Sequence, residues 1–447
     1  MQNNILFIYL IIIFFSQSLL TINNYCYFIF YIIYFFMLNF FSLFLIIFII
    51  YYLLFNYLTI ALFFNFLNYD IELFKNFSFI LISMPSIAII YYFILIFLKY
   101  FNILYKYDIF KIYLIFNIYL IFNSFITLIF NKSNLITIIS YYRNFTLSML
   151  TIIIGIFIGK KYNILKIYKH IVNIFYFLLP FFIFMGILEW STNLNIYNYI
   201  GGKYLSIAKN WGDNSIPPVF YSTLIYSFKR TSFGIMEPVN ASYLFSSISI
   251  LSFYLKKNFL GYIFLFFTIF TLGKGGIIFI FFFYFIKFLL EKNNILFKLS
   301  IIFIFFISLS VLIINIHDST MIYHAYGIVN GFMNGLSSLF GSGIGTGGNL
   351  GFQYNNISWG MESFDTGAES GLATLCYQLG TLGLIIYIYF YYKVFEKLKL
   401  NNSYFSFLPI AYLICTIFQE NIFSPISNFI LMLIIGIECS NNICKNL

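Results

Sequence analysis

Charge is scarce in this chain of 447 residues: lysine, arginine, aspartate and glutamate make up 9% of it, whereas 62% is hydrophobic. A soluble protein needs several times more charge to cover its water-facing positions, so the composition excludes a soluble globular fold. The bulk of the chain must lie in lipid. Arginine is scarcest of all, since only two of the 24 basic residues are arginine. The position of each arginine is therefore informative.

Metal-binding patterns are also missing. The five cysteines form no C-x-x-C pair and no cluster with the three histidines, which predicts neither a disulfide framework nor a zinc site. No pair of aspartates stands out that would hold a divalent ion. The net charge of +10 comes from lysines in short gaps between apolar runs, so they indicate membrane topology and not a nucleic-acid surface. The sequence predicts no cofactor, no metal and no nucleic-acid partner.

Apolar runs fill most of the sequence, and a helix needs about 20 such residues to cross a membrane. The pattern predicts an all-α polytopic membrane protein, a single transmembrane domain over 1–447 with about 12 to 14 helices. The first run lacks a basic flank and a cleavage site, so we expect it to be the first membrane helix. The predicted spans lie near 5–22, 25–41, 43–66, 78–99, 111–130, 143–160, 171–190, 237–255, 258–272, 275–290, 299–315, 368–391, 404–420 and 425–440.

The lysines predict which way the helices run. They gather in five gaps that the span count puts on one side of the membrane, and an excess of lysine marks the cytoplasmic side. Both termini are expected on that side as well. The lysines are Lys99, Lys106 and Lys111; Lys160, Lys161, Lys166 and Lys169; Lys256 and Lys257; Lys287, Lys292 and Lys298; and Lys393, Lys397 and Lys399.

Two gaps on the other side, 191–236 and 316–367, are much longer than a turn requires, and long loops on a compact scaffold commonly carry function. In the second loop, 324–339 can form a helix that places His324, Gly327, Gly331 and Gly335 on one strip, where small residues allow close approach of a neighbour. The following segment "GSGIGTGGN" lacks the spacing of a P-loop. A glycine hinge or a backbone nest facing a sugar is expected there instead.

The three cations that break the lysine pattern most clearly share the outer face. Arg143 opens the span 143–160, Arg230 precedes the span 237–255, and Lys274 lies between two spans in "TLGKGG". Any one of them could be explained by a long side chain reaching the membrane interface. Because the planar guanidinium binds phosphate oxygens in pairs, the set predicts a site for a lipid-linked diphosphate.

Carboxylates are densest at Glu362, Asp365 and Glu369, and Glu369 stands at the start of the span 368–391, where partial burial would fit it for proton transfer. His324 could bind sugar or share the proton transfer. Glu237, in "MEPVN", has the alternative role of a helix start. The helix dipole, which favours acids at N-termini, is the alternative explanation for the other three.

Together these motifs resemble the bacterial O-antigen polymerase family (Wzy type), within the O-antigen polymerase and ligase superfamily. The likeness spans nearly the whole chain and rests on the order of four segments: "YYRNFTLSMLTIIIGIFIG", "GIMEPVNAS" after an arginine, "TLGKGG" and "GSGIGTGGN…AESGLATLCYQLGTLGL". It implies a GT-C-like, metal-independent membrane glycosyltransferase. Such an enzyme joins repeat units carried on undecaprenyl diphosphate at the outer face of the bacterial inner membrane, with a chain-length regulator protein and membrane lipid as partners.

The resemblance also implies residue roles. Arg143 and Arg230 would contact the diphosphate, and Lys274 would replace an arginine that is common in the family. Glu369 stands where ligase-like members place a histidine, which favours a polymerase, and no catalytic role is carried over to Gln378. The predicted catalytic residues are Glu369, Arg230 and His324, and the predicted substrate-binding residues are Arg143, Lys274, Glu237, Asp365 and Glu362.

In the predicted mechanism, Glu369 removes the proton of the acceptor hydroxyl, with His324 or Asp365 as the alternative base, while arginine neutralises the leaving diphosphate. An O-antigen ligase that moves glycan from the same carrier to lipid A core or protein is the first alternative function. A polysaccharide flippase or transporter is the second, although such proteins favour charges near mid-bilayer and two related halves, and neither is evident here.

Overall fold

The computed structural model describes residues 101, 104–199, 206, 230–235, 237–291, 319–354 and 365–440, without the side chains of 198–199, 290–291, 319–324 and 352–354. Every regular element in this part of the chain is helical, as predicted. The residues outside this part of the chain include Glu362, most of the loop 191–236 and the spans predicted near 5–22, 25–41, 43–66, 78–99 and 299–315. The helices are α1 Asp108–Ile129, α2 Leu135–Lys161, α3 Ile164–Ser191, α4 Ile196–Tyr199, α5 Pro238–Tyr254, α6 Asn258–Phe270, α7 Lys274–Glu291, α8 Ser319–Leu336, α9 Gly348–Tyr354, α10 Gly371–Leu400, α11 Leu408–Phe418 and α12 Pro425–Cys439, with a 3₁₀ turn at Glu420–Phe423.

Four of these helices, α1, α2, α3 and α10, are long and apolar enough to cross a membrane. The shortest of them has 22 residues and is therefore about 33 Å long, against about 30 Å of hydrocarbon. Helices α6, α11 and α12 are apolar but shorter. By length and composition, the described bundle is suited to a membrane.

Two helices begin seven or eight residues before the spans predicted near 143–160 and 171–190. Helix α2 begins at Leu135 and not at Arg143, because Asn134 caps it by accepting the N–H of Thr137 at 2.9 Å. Helix α3 begins at Ile164 in place of 171, after a similar cap at Asn163. Polar residues after the helix starts lower the hydropathy there: Thr137, Ser140, Tyr141 and Tyr142 in α2, and Lys166, Lys169 and His170 in α3. Arg143 consequently lies inside α2, about 12 Å from its first residue.

The lysines of several helices gather at one end of the bundle, here called the lysine end. Lys287 lies 3.2 Å above the ring of Tyr404, and Lys257 donates to Asn173 at 2.7 Å. The same end holds a buried carboxylate, Glu438, which accepts the hydroxyl of Tyr168 at 2.8 Å. Helices α2, α5, α7, α10 and α12 finish at this end, so they begin together at the opposite one.

Small residues bring the central helices into contact. In α2 and α12, which run side by side in the same direction, Gly155 packs on Gly436 and Gly159 packs on Ser440, so that a larger side chain would collide with the facing backbone. This is the small-xxx-small spacing that lets helices approach closely within lipid. The pairing of α2 with α12 fixes the centre on which the site is built.

The predicted glycine strip on α8 is confirmed where the structure describes it. Gly331 faces Gly367 and Ala373, and Gly335 faces the backbone of Cys376 at the first turns of α10. The helix begins at Ser319 and ends at Leu336, a few residues before the predicted 324–339. Helix α8 is thereby fixed against the start of α10, where the candidate site lies.

Candidate functional site

The turn before α10 holds Glu369 in an uncommon backbone conformation. Its φ is 72°, in the left-handed region that side chains other than glycine rarely adopt, and the nearby Gly367 has a φ of 82°. Ser370 then caps α10 by accepting the N–H of Ala373 at 3.3 Å. The half-buried Glu369 side chain is therefore positioned by a strained turn, and strain of this kind concentrates at functional sites.

A second carboxylate, Glu420, lies directly beside this turn. Its backbone N–H donates to the carbonyl of Glu369 at 3.1 Å. One carboxylate oxygen accepts the hydroxyl of Tyr141 at 2.7 Å, and the other accepts the N–H of Asn349 at 2.9 Å. Glu420 thus joins α2, the start of α9 and the turn before α10.

Burial raises the pKa of Glu420 to about 7, and the neighbouring Glu369 carboxylate adds to the rise. The hydrogen bonds from Asn349, Tyr141 and Thr374 act in the opposite direction, since they favour the charged form. Glu420 is therefore a buried acid that changes charge near neutral pH. Its backbone is hydrogen-bonded to that of Glu369.

Replacing Glu420 with glutamine should change how stability depends on pH. The carboxyl titrates near 4.5 when exposed and near 7 when folded, so between these values the folded chain holds the extra proton. The free energy of unfolding should therefore fall as the pH rises from roughly 5 to 7 and level off above. Glu420→Gln should lose this slope in melting temperatures measured in detergent, whereas the control Glu396→Gln at the lysine end should keep it. An unchanged slope in Glu420→Gln would refute the assignment.

Arg230 is the cation that interacts with Glu369. Burial lowers the pKa of the guanidinium, and the Glu369 carboxylate raises it, which places the two charges within electrostatic reach. The buried Nε of Arg230 has no hydrogen-bond partner among the described residues. Donors of this kind are almost always satisfied in proteins, so Nε is suited to an acceptor that the chain does not itself supply.

The segment after Arg230 is fixed by a fully buried carboxylate at the end of α3. Glu189 accepts the backbone N–H groups of Ser232, Phe233 and Gly234 at 2.7 to 3.0 Å, and also the hydroxyl of Tyr197 at 2.7 Å. Backbone donors left unsatisfied in a buried place cost about 1 to 3 kcal/mol each. Glu189 therefore holds the segment that positions Arg230.

The glycine loop 341–349 is tethered to the bundle. Buried Gln378 of α10 accepts the N–H of Gly345 at 2.9 Å and donates to the carbonyl of Gly347 at 2.7 Å. Asn123 of α1 accepts the N–H of Ile344 at 2.8 Å. Because these backbone N–H groups are hydrogen-bonded to the protein itself, the expectation that the loop forms a backbone nest for a ligand is not supported. Gln378 instead positions the loop.

Glu237 and Lys274 stand at neighbouring helix starts. Glu237 precedes α5 and accepts a hydrogen bond from Asn240, while Lys274 is the first residue of α7. The glycines beside Lys274 allow α7 to approach α5 closely. The N–H of Gly276 donates to the hydroxyl of Ser242 in α5 at 3.2 Å. Both predicted residues thus lie at the end of the bundle that holds Glu369.

Arg143 lies at the depth of this site but on another face of its helix. It is two residues from Tyr141, and therefore about 200° around α2 from the hydroxyl that reaches Glu420. Its guanidinium donates to Asn144 at 3.2 Å. The described contacts do not bring it to Arg230 or Glu369, so its diphosphate role remains a prediction.

The other predicted residues lie on or beside α8. Asp365 is exposed and accepts a hydrogen bond from Asn330 at 2.7 Å, which fastens α8 to the turn before α10. The backbone of His324 lies about 10 Å along α8 from Gly331. The His324 side chain and the whole of Glu362 fall outside the described residues, and their roles remain predictions.

At this end of the bundle, sequence analysis missed two buried carboxylates, Glu189 and Glu420. Each interrupts or ends an apolar run, and an ionisable residue in that position is a signal of function or of a buried partner. Their partners could not be read from the sequence, since Tyr141 is 279 residues from Glu420.

In the part of the chain that the structure describes, no three histidine, cysteine, aspartate or glutamate side chains are grouped so that they could hold a metal ion. The site consists of one partly buried guanidinium, two adjacent carboxylates and the turns that fix them. Such a site can bind an anion and accept a proton. No protein family, curated protein or solved structure matches this chain.

Proposed function

We propose that this chain is a polytopic membrane glycosyltransferase that polymerises oligosaccharide repeat units carried on undecaprenyl diphosphate. The observation that carries the proposal is the electrostatic interaction between the partly buried Arg230 guanidinium and the Glu369 carboxylate, at the end of the bundle opposite the lysines. Transfer of a sugar from a diphosphate needs a cation for the leaving group and a base for the acceptor. These two side chains supply one of each.

Arg230 would bind the diphosphate. As the anomeric carbon–oxygen bond breaks, negative charge grows on the leaving diphosphate, and a fixed guanidinium in a partly buried place stabilises that charge. The Nε that lacks a partner among the described residues would donate to a phosphate oxygen. Glu189 would contribute indirectly, because it fixes the backbone that follows Arg230.

Glu369 would accept the proton of the attacking hydroxyl. The acceptor oxygen forms its bond to the anomeric carbon, the bond to the diphosphate breaks, and the acceptor proton moves to the Glu369 carboxylate. Glu420 lies beside Glu369, and the Glu369 carboxylate adds to the rise in the pKa of Glu420. No metal is required by this arrangement.

The proposed setting is the bacterial inner membrane. The lysine end would face the cytoplasm by the positive-inside rule, which puts Arg230 and Glu369 at the outer face together with both long loops. The described helices would form part of a GT-C-like domain with about 12 to 14 membrane helices and both termini in the cytoplasm.

A deletion strain tests this function against its alternatives. Loss of a polymerase should leave single repeat units on the carrier and remove long polysaccharide, and the wild-type chain should restore it. Loss of a ligase would leave long polymer on the carrier, whereas loss of a flippase would leave single repeats on the cytoplasmic side. Mass spectrometry of carrier lipids, with and without permeabilisation, separates the three outcomes, and either of the last two would overturn the proposal.

A further inference from the structure

An apolar groove of about 530 Å³ runs between α3 and α6. It lies apart from Glu369 and Glu420, and the residues that line it include Ile183, Ile187 and Trp190 of α3, Phe259 and Phe266 of α6, and Thr231. Its volume is within the range of sites that hold small molecules, about 300 to 1,000 Å³. Its walls offer rings and aliphatic side chains, so it suits a hydrocarbon chain.

One end of the groove meets the segment that carries Arg230. The hydroxyl of Thr231 donates to the carbonyl of Phe270, the last residue of α6, at 2.9 Å. Arg230 is the preceding residue, so a ligand with an apolar chain in the groove would have its head at the segment that carries the guanidinium. The charge at this end is complementary to a phosphate or diphosphate.

The groove extends along most of α6. Phe259 and Phe270 lie at opposite ends of this helix, about 16 Å apart along its axis. That distance is roughly half the thickness of the hydrocarbon core. A long chain would therefore be held near its head and would continue into the bilayer.

We propose that the groove between α3 and α6 binds the head-proximal part of the polyprenyl tail of the lipid carrier, whose diphosphate lies at Arg230. The inference rests on the proposed function and adds the site that selects the carrier. A water-soluble sugar diphosphate would leave the groove empty and so would bind less tightly.

The test narrows the groove without touching the charged site. Ile187 lines the groove and is 59% exposed, so Ile187→Trp fills part of the groove. The control is Ile118→Trp, which adds the same side chain at a 68% exposed position on α1, away from the groove. Transfer is measured with the purified chain and two donors, the repeat unit on undecaprenyl diphosphate and the same unit on methyl diphosphate, which has no chain to enter the groove. Ile187→Trp should raise KM about tenfold for the long carrier only, and Ile118→Trp should change neither.

The outcomes distinguish the two proposals. If the wild-type chain polymerises neither donor, the proposed function fails. If it polymerises the long carrier and Ile187→Trp leaves the KM for that carrier unchanged, or raises the KM equally for the donor without a tail, the groove proposal alone fails.

A second measurement does not depend on activity. A polyprenyl diphosphate with a diazirine in its head-proximal isoprene should cross-link to peptides of α3 and α6, and less so in Ile187→Trp. A groove filled by another part of the chain would give no such cross-link. A groove filled by ordinary membrane lipid would lose the cross-link when excess phosphatidylglycerol is added, and either result would overturn the proposal.

Discussion

Arg230→Ala should abolish long-chain polysaccharide while leaving the amount and melting temperature of the protein unchanged. Removing one fixed donor from a site of developing charge costs about 100- to 1,000-fold in rate. Stability should hold, because the variant removes a buried Nε that has no hydrogen-bond partner among the described residues. Chain lengths on a gel and transfer rates with the purified protein measure the effect.

Arg230→Lys sharpens this prediction. Lysine keeps the charge but loses the planar pair of donors that fits a diphosphate, so activity should fall to an intermediate level. Lys256→Ala, which removes a cation at the lysine end, serves as the control and should leave chain length as it is. Chains of normal length in Arg230→Ala would exclude a diphosphate role for this residue.

The features that the sequence predicts well are those set by local spacing. The glycine strip of α8 is confirmed at Gly331 and Gly335, because residues three and four apart on a helix must share a face. The starts of α5 and α7 follow from the proline after Glu237 and the glycines around Lys274. The electrostatic interaction of Arg230 with Glu369 joins two residues that the lysine pattern predicts on one side of the membrane.

The contacts within the site depend on the tertiary fold. Tyr141 and Glu420 meet because α2 and α12 pack through small residues, and no local pattern gives that pairing. The surroundings of Arg143 could not be predicted from local pattern either. Hydropathy placed the start of a span at this residue, whereas the capped helix begins at Leu135. Arg143 therefore lies within α2, on a different face from Tyr141. The groove beside Thr231 depends on how α3 and α6 diverge, which hydropathy does not encode.

Glu369→Gln should cost about 100- to 10,000-fold in transfer rate, since glutamine keeps the size of the side chain but cannot take the acceptor proton. Binding of the donor should be little affected, so the loss should appear in kcat and not in KM. Rates are measured with the purified chain at saturating donor. Asp365→Asn is the matched control, because Asp365 is exposed and bonded to Asn330 on α8. Near-normal turnover in Glu369→Gln would eliminate this residue as the base, and a comparable loss in Asp365→Asn would move that role to Asp365.

A glycine at position 369 separates catalysis from folding. The left-handed backbone costs a residue other than glycine about 1 kcal/mol, so Glu369→Gly should unfold at a higher temperature than the wild type. The same variant lacks the carboxylate and should be inactive. A glutamate is thus retained where a glycine would be more stable, which is the pattern of a residue kept for its chemistry. A variant that is both less stable and active would show instead that the side chain serves the fold.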